Sequence, residues 1–150
     1  MNKNEFENWV KQQREQVIQY LQDQDITHNG VGTWPAFEIA PYFAIWAVQS
    51  RRFPGQVGWW AFSGDIPTDY ISGHNLLDPR AALGDLLKTW QEYIPYLKRG
   101  EPPPGIKVGN AKNREELGDL LERRIRLLKE SHEDDALWAE IFKEATSHHL

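Results

Sequence analysis

Apolar residues at helical spacing define the first element of the chain. From about Asn4 to Gln22 they recur every three or four positions, and the charged side chains lie mostly outside that stripe. The polar residues 23–25 and the glycine-containing residues 28–32 that follow favour turns. The pattern predicts an amphipathic helix that packs against a core through Phe6, Trp9, Val10, Gln13, Val17, Tyr20 and Leu21.

In the middle of the chain the pattern changes to short apolar runs with almost no charge. Residues 43–49 and 57–63 are two such runs, and residues 51–56 between them contain a Pro-Gly pair typical of a loop. We expect two antiparallel strands that form a hairpin with a long loop. For residues 43–49 a short helix starting at Pro41 is the alternative, because periodicity does not separate helix from strand in so short a run.

Helical spacing returns after Asp78. This aspartate precedes Pro79, and the pair predicts a helix start, because the carboxylate accepts from free amide groups and proline loses nothing at the first helical position. Pro95 interrupts the pattern and should kink the helix or end it near Tyr93. The apolar face comprises Leu83, Leu86, Leu87, Trp90, Ile94 and Leu97.

Two further helices are expected towards the C-terminus. Asn113 with Glu116 three residues later resembles a capping box and predicts the start of the third helix. Gly118 lies within this helix and suggests close packing there. A last helix should begin near residues 134–135. The expected core residues are Leu117, Leu121, Ile125 and Leu128 in the third helix, and Trp138, Ile141, Phe142 and Ala145 in the last.

These elements predict an α+β fold. We expect a small antiparallel sheet of two or three strands, from about residues 35–65, packed against about four helices. The chain has 150 residues and 40% apolar composition, enough for one sizeable core. The sequence therefore predicts a single globular domain over residues 1–150.

Charge and composition narrow the classes of function. The formal net charge is -5 and the acidic residues are spread over both halves of the chain, so a nucleic-acid partner is not expected. The chain contains no cysteine, which excludes disulfides and thiolate metal sites. No apolar run approaches the ~20 residues of a membrane span, and the first residues lack the pattern of a signal peptide. We therefore expect a cytoplasmic protein without a membrane partner.

Two aspartates carry the most concentrated chemistry. Asp65 and Asp69 are the only charged residues between Phe53 and Ile71, in a stretch that reads as a turn. Aspartates in turns usually accept hydrogen bonds from nearby backbone amides, and we favour that role. The alternative is an acid–base pair or a site for a hard cation, but such a cation usually takes more oxygen ligands than this stretch offers. The sequence predicts no metal and no cofactor.

A nucleophile and a buried acid are weaker candidates. Ser63-Gly64 invites comparison with a nucleophile elbow, but Ala61 stands where that motif requires glycine. A triad would also require the fold to bring Ser63, His74 and Asp65 together. Glu38 alternates with apolar neighbours, which favours a surface position; burial beside Arg51 or Arg52 is the alternative. No catalytic residue is predicted.

The chain contains several distinctive motifs: Trp34-Pro35-Ala36, the run from Ala40-Pro41-Tyr42 to Ile45-Trp46-Ala47, Pro54-Gly55 with Gly58-Trp59-Trp60, the Gly-Asp-X-Pro-Thr-Asp-Tyr element at residues 64–70, and Asp78-Pro79-Arg80. Together they resemble the motifs of a family of short, uncharacterised bacterial proteins containing a domain of unknown function. The element at 64–70 is the most specific of these. The resemblance implies a bacterial, cytosolic protein, and it implies no activity.

The aromatic residues and the acidic turn together suggest a function. We expect a small binding or adaptor protein, whose partner is another protein and whose contact surface is an aromatic-acidic rim. The alternative is a small hydrolase that uses Asp65, Asp69 and His74, with a metal ion as a possible aid. The rim comprises Trp34, Trp59, Trp60, Asp65, Thr68, Asp69, Tyr70 and His74.

Overall fold

A helix and an antiparallel sheet form the first part of the structure, a computed structural model that describes residues 1–76, 78–106 and 110–139. The chain divides into two compact units, Met1–Leu83 and Gly84–Leu150. The first unit contains α1 (Lys3–Asp23) and a four-stranded sheet in which spatial order equals chain order. Its strands are β1 (Phe37–Ile39), β2 (Phe43–Gln49), β3 (Val57–Gly64) and β4 (Asp69–Ser72).

Helices complete the described chain. α2 (Pro79–Lys98) contains the division between the two units, α3 (Ala111–Glu133) follows, and residues 135–139 are also helical. These elements confirm the predicted α+β class, with more strands in the sheet than expected. None of the helices in the described ranges combines the length and the apolar character that a membrane span requires.

β2 and β3 are the long central pair of the sheet. They pair antiparallel from Phe43 opposite Gly64 to Gln49 opposite Val57, which confirms the predicted hairpin and shows that residues 43–49 form a strand. Near the loop the register shifts, so that Val48 lies opposite Trp59 and Gly58 is left as an extra residue. Such a β-bulge increases the local twist and changes the direction in which neighbouring side chains point.

α1 packs on one face of the sheet, as its apolar stripe predicts. Val10, Val17 and Leu21 of the helix are buried in one core cluster with Trp46 and with small residues of the central strands. Trp46 has no exposed surface. Removing ~200 Å² of tryptophan surface from water is worth about 5 kcal/mol before the cost of ordering is subtracted. Ala61 lies directly opposite Trp46 in the register, and its small side chain leaves room for the indole.

The segment after β3 differs from the prediction. We expected one turn from Gly64 to Tyr70, but the turn occupies residues 65–68, and Asp69 already begins β4. β4 pairs antiparallel with β3, with Asp69 opposite Phe62 and Ser72 opposite Trp59. A strand of only four residues with a charged first residue is too short for its alternation to be recognised in the sequence.

The start of α2 agrees with the prediction, but its end does not. The Ala81 amide donates to the Asp78 carboxylate at 2.8 Å, as expected of an N-cap. The helix does not end near Tyr93; it continues through Pro95 to Lys98. An interior proline costs ~3 kcal/mol. Pro95 is exposed, whereas Trp90 and Leu97 on either side of it are buried, and that burial offsets the cost.

α3 begins one turn earlier than predicted. Its N-cap is Asn110, whose side-chain oxygen accepts from the Asn113 amide at 2.9 Å, so Asn113 lies inside the helix and does not cap it. The packing role of Gly118 is confirmed, because a Cβ atom there would lie 3.1 Å from the Leu97 Cβ. Leu121, Ile125 and Leu128 are buried as expected, and Leu117 is half-buried.

Trp138 is buried after the end of α3. Its indole N–H donates to the Ser131 carbonyl at 3.0 Å, and only 2% of its surface is exposed. This agrees with its predicted place in the core. The other core residues expected in the last helix, Ile141, Phe142 and Ala145, lie outside the described residues.

Candidate functional site

A cleft of about 1050 Å³ opens in the first unit, where the β2–β3 loop meets the segment that follows β4. It is lined by residues 50–53 and 56–59, by residues 72–76, and by Thr27 from the segment after α1. The side chains at 51–56 are exposed. The cleft is therefore an open groove at one end of the sheet, at the upper end of the volume range of small-molecule sites.

The floor of the cleft is backbone packed at close range. The Gly73 amide donates to the Gly58 carbonyl at 2.9 Å. A Cβ atom on Gly58 would lie 2.9 Å from the Ser50 Cα, and one on Gly73 would lie 2.6 Å from the Val57 oxygen. The bulge at Gly58 and these glycines let three chain segments approach more closely than side chains would permit.

Trp59 forms an aromatic wall of the cleft. Its indole N–H donates to the Thr27 carbonyl at 3.3 Å, and its ring meets that of Tyr70 edge-on with centroids 5.6 Å apart. Tyr70 in turn lies 6.1 Å from the ring of Tyr20 on α1. These contacts fix the orientation of a half-buried indole that lines the cleft.

The neighbouring tryptophan has a different environment. Trp60 is only 3% exposed, and its indole N–H donates to the Leu76 carbonyl at 3.1 Å. Successive side chains of a strand point to opposite faces, so the two indoles lie on different sides of the sheet. Trp59 is half-buried against the α1 cluster and is among the residues that line the cleft, whereas Trp60 belongs to the interior.

The charged residues that line the cleft are Arg51 and Arg52, and the titratable His74 lies beside them. Among the described residues, no acidic side chain contributes to the lining. The Arg52 guanidinium lies over the Phe53 ring, 5.3 Å from its centroid. Within the described part of the chain, neither arginine forms an ion pair. The cleft is locally basic although the chain as a whole is acidic.

His28, next to the lining residue Thr27, is affected by burial and, to a smaller degree, by this charge. Its Nδ1 accepts from the Gly30 amide at 2.9 Å, which requires an unprotonated Nδ1. Burial, and secondly the charge of Arg51, lower the pKa of the imidazole below its usual value. The neutral form of His28 is therefore the one that fits the loop.

The acidic residues lie towards the other end of the sheet, where they make local structural contacts. The Asp69 carboxylate accepts from the Tyr70 amide at 2.8 Å, and Thr68 Oγ1 accepts from the Gln16 side chain at 2.6 Å. The Asp65 amide donates to the Tyr42 carbonyl at 2.7 Å. The Asp69 contact is of the carboxylate-to-amide kind that we favoured, whereas the Asp65 contact is made by its backbone and leaves the role of its side chain a prediction.

Burial affects one further group at this end of the sheet, Tyr20. Burial first, and then the nearby Asp69 carboxylate and Tyr70, raise the pKa of its phenol well above the usual value. The phenol is therefore neutral throughout the physiological range and is not poised as a base.

Glu38 also serves its own turn. It is half-buried at the short first strand, and its carboxylate accepts from the Ala40 amide at 2.7 Å. The carboxylate therefore holds the turn that follows β1. Glu38 is neither fully exposed nor, within the described chain, paired with an arginine.

The hydrolase candidates do not converge. Asp69 pairs with Phe62 and Ser72 with Trp59, three residues further along the strand, so the two positions are ~10 Å apart at ~3.3 Å per residue. His74 lies beyond Ser72, at the cleft. Asp65 follows Gly64 at the opposite end of β3. In the described ranges, no three His, Cys, Asp or Glu side chains form a group that could hold a metal ion.

Ser63 is likewise not placed to be a nucleophile. It has no exposed surface, and its hydroxyl oxygen accepts from the Trp46 indole N–H at 3.1 Å. The two side chains are diagonal neighbours on the face that α1 covers. Ser63 satisfies a buried donor and does not face a substrate.

A comparison with models of protein families identifies the family to which the chain belongs. A family model matches residues 3–138, which is most of its length. The chain belongs to the family described as domain of unknown function DUF4826. The DUF4826 match includes every residue that lines the cleft. No curated protein and no solved structure matches the chain.

Trp34 lies apart from the cleft of this DUF4826 chain. It is 53% exposed and meets the ring of Phe6 on α1 edge-on, with centroids 5.5 Å apart. Phe6 also stacks on Trp9 at 6.3 Å. The eight residues of the expected rim are thus distributed over four places: beside α1, at the acidic end of the sheet, at the cleft and, for Trp60, in the interior.

The sequence did not reveal that the β2–β3 loop supplies both arginines of the cleft. The pattern predicted only a loop between two strands there. The available signal was two adjacent arginines followed by an aromatic residue, in the long stretch without an acidic residue between Glu38 and Asp65. The two arginines indicate a basic binding site only when it is known that the loop lines the same cleft as His74 and Trp59.

Proposed function

We propose that this DUF4826 chain is a binding protein and that a partner protein docks in the cleft beside the β2–β3 loop. The observation that carries the proposal is a half-buried Trp59, held by Thr27 and Tyr70, that lines the same cleft as two arginines without ion pairs in the described chain. A cytoplasmic location is part of the proposal. The binding surface moves from the predicted aromatic-acidic rim to the cleft end of the sheet.

Energetic reasoning supports this place. Tryptophan and arginine are the residues most enriched among those that dominate binding energy at interfaces, where truncating one often costs 2 kcal/mol or more. Trp59 already contacts Thr27 and Tyr70, so binding orders little that is not ordered in the free protein. The open shape and the exposed loop residues suit a protein segment better than an enclosed small molecule.

The hydrolase alternative has less support. Asp65 and Asp69 are remote from His74, and Ser63 is buried beneath α1. General acid–base work requires groups within hydrogen-bond reach of one reacting atom. The acidic and basic candidates of this chain lie near different ends of the sheet.

Site-specific photo-crosslinking tests the proposal. A photoreactive phenylalanine analogue replaces Phe53, which is 52% exposed at the cleft, and in a matched control it replaces Tyr42, which is 62% exposed near the other end of the sheet. We expect a reproducible crosslinked protein from a lysate of the source cells at position 53 and not at position 42. Equal capture at both positions would count against the cleft.

The captured partner then permits a direct measurement of affinity. Trp59→Leu should weaken binding about 30-fold, which corresponds to ~2 kcal/mol. Trp34→Leu removes an equally large and more exposed indole outside the cleft and should leave the dissociation constant unchanged. Far-UV circular dichroism confirms that both variants are folded. Unchanged affinity in a folded Trp59→Leu variant would contradict the proposal.

A further inference from the structure

We infer that the segment received by the cleft is acidic: an extended stretch of the partner in which carboxylate side chains lie next to an apolar or aromatic one. This inference rests on the proposed function and names the chemistry of the partner. It follows from the distribution of charge around the cleft, from the geometry of Arg52, and from the position of Trp59.

Charge is distributed unevenly in the first unit. The two loops that border the cleft, residues 50–56 and 72–76, contain two arginines and a histidine and no acidic residue. The chain as a whole carries a net charge of -5. A basic cleft in an acidic protein attracts an acidic segment locally, whereas the rest of the surface repels acidic chains that bind elsewhere.

The arginines are available for carboxylates. Arg52 lies over the Phe53 ring, and this contact restricts the guanidinium while its N–H groups remain in the plane of the group. A planar guanidinium binds a carboxylate through two parallel hydrogen bonds. The charge of Arg51 reaches His28, on the side of the cleft formed by Thr27. The two adjacent residues thus provide cationic groups along the cleft wall.

Trp59 adds a requirement for an apolar side chain. Trp59 is among the residues that line the cleft, and its half-buried indole packs in part against the core cluster under α1, so that part of its surface remains accessible. A leucine or an aromatic side chain of the partner can cover that surface, while neighbouring carboxylates reach the arginines. Alternating acidic and apolar residues of an extended segment match this arrangement, because successive side chains point in opposite directions.

A protein segment fits these features better than a nucleic acid. Nucleic acids carry one charge per nucleotide and are bound by grooves or stripes of many basic residues. The cleft offers two arginines and a histidine in a chain of net negative charge. A peptide places fewer charges at wider spacing and supplies the apolar side chain that the indole can accept.

The experiment is a titration of the ¹⁵N-labelled full chain followed by NMR. The probes are a peptide of alternating glutamate and leucine, about eight residues or ~26 Å long when extended, the same peptide with glutamine for glutamate, and an oligothymidylate. We expect the glutamate peptide to shift the amides of the two cleft loops and the Trp59 indole signal. We expect the glutamine peptide and the oligothymidylate to shift none of them.

Variants identify the groups responsible. Arg51→Gln with Arg52→Gln should weaken binding of the glutamate peptide about tenfold, and lysine at both positions should restore only part of it, because lysine keeps the charge but not the paired geometry. Arg123→Gln with Arg126→Gln removes the same charge from exposed positions of α3 and should have no effect. Raising the ionic strength from about 0.05 M to about 0.5 M should weaken binding of the peptide to the unaltered chain.

Three results would overturn the inference: equal binding of the glutamine peptide, equal binding by the double glutamine variant, or tighter binding of the oligothymidylate at the same amides. The failure of the proposed function is distinguishable. If the crosslink at position 53 depends on Trp59 but is unaffected by the double glutamine variant, the cleft binds a partner that is not acidic. If the crosslink does not depend on Trp59, the docking site itself is wrong.

Discussion

Replacing Gly64 with alanine is expected to destabilise the protein by about 2–5 kcal/mol, because two costs coincide at this position. Gly64 has φ +125°, in the region that side chains strongly disfavour, at ~1–2 kcal/mol. An added Cβ would lie 2.6 Å from the Phe43 Cα and closer still to the Tyr42 carbonyl oxygen. Both neighbours are backbone and cannot rotate away, and relieving such an overlap costs a further ~1–3 kcal/mol.

Substitutions at two other glycines allow the conformational cost and the steric cost to be measured separately. Gly55 has φ +81°, and an added Cβ would meet nothing within 4 Å, so alanine there carries only the conformational cost of about 1 kcal/mol. Gly73 has no such φ, but its Cβ would lie 2.6 Å from the Val57 oxygen, so alanine there carries only the steric cost. The loss at Gly64 should approach the sum of the other two.

Urea unfolding followed by far-UV circular dichroism measures the three variants. The free energy of unfolding is extrapolated linearly, and a parallel thermal scan should show a drop of about 2–4 °C per kcal/mol for a chain of this size. A loss of about 2–5 kcal/mol is large against the total stability of ~5–15 kcal/mol typical of a domain. Equal losses for Gly55→Ala and Gly64→Ala would refute the reasoning, because the backbone around Phe43 would then have moved at no cost.

Three further predictions follow from the contacts of single side chains. Ser63→Ala should cost about 1–3 kcal/mol in urea unfolding, because it leaves the buried Trp46 indole N–H without its acceptor. Because the pKa of His28 is lowered in the folded protein, the unfolded state binds a proton at higher pH than the folded state does. The free energy of unfolding should therefore be constant above about pH 6.5 and fall as the pH drops below that value. His28→Asn keeps an acceptor for the Gly30 amide and should reduce this fall. Lys98→Ala should leave the urea midpoint nearly unchanged, because the ion pair of Lys98 with Glu122 is exposed to solvent.

Matched variants test these three. Ser72→Ala removes an exposed hydroxyl from the neighbouring strand, and a loss as large as that of Ser63→Ala would contradict the role of burial. His74→Asn removes an exposed histidine of the cleft, and it should leave the pH dependence in place. If Lys98→Ala lowers the midpoint as strongly as Ser63→Ala, the screening argument is wrong.

The parts of the fold that follow from local pattern were predictable. The stripe of α1 is long enough to show its period, and its buried residues Val10, Val17 and Leu21 are those expected. The central hairpin is bounded by a Pro-Gly loop, and Asp78 before Pro79 marks the start of α2. In each case the physical cause lies within a few residues of the feature it produces.

The parts that depend on distant residues were not predictable. The helix passes Pro95 because buried side chains on either side offset the loss of one hydrogen bond. β4 is recognisable only through its pairing with β3. The cleft joins a loop, a strand end and a segment after α1 that are separated in the sequence, so its basic character appears only when the register is known. Burial decides between Trp59 and Trp60 in the same way.

β4 lies at one margin of the sheet, beyond which the described chain places no further strand. Such a margin usually offers a row of unpaired backbone groups to other molecules. Here the Tyr70 amide already donates to the Asp69 carboxylate, and the strand is only four residues long. A strand from a second molecule would meet a short template with one donor already occupied and a negative charge beside it. Asp69, which the sequence offered as an acid–base candidate, thus disfavours edge-to-edge pairing of β4 with a strand of another molecule. Disfavouring that pairing protects this apolar, tryptophan-rich region from aggregation.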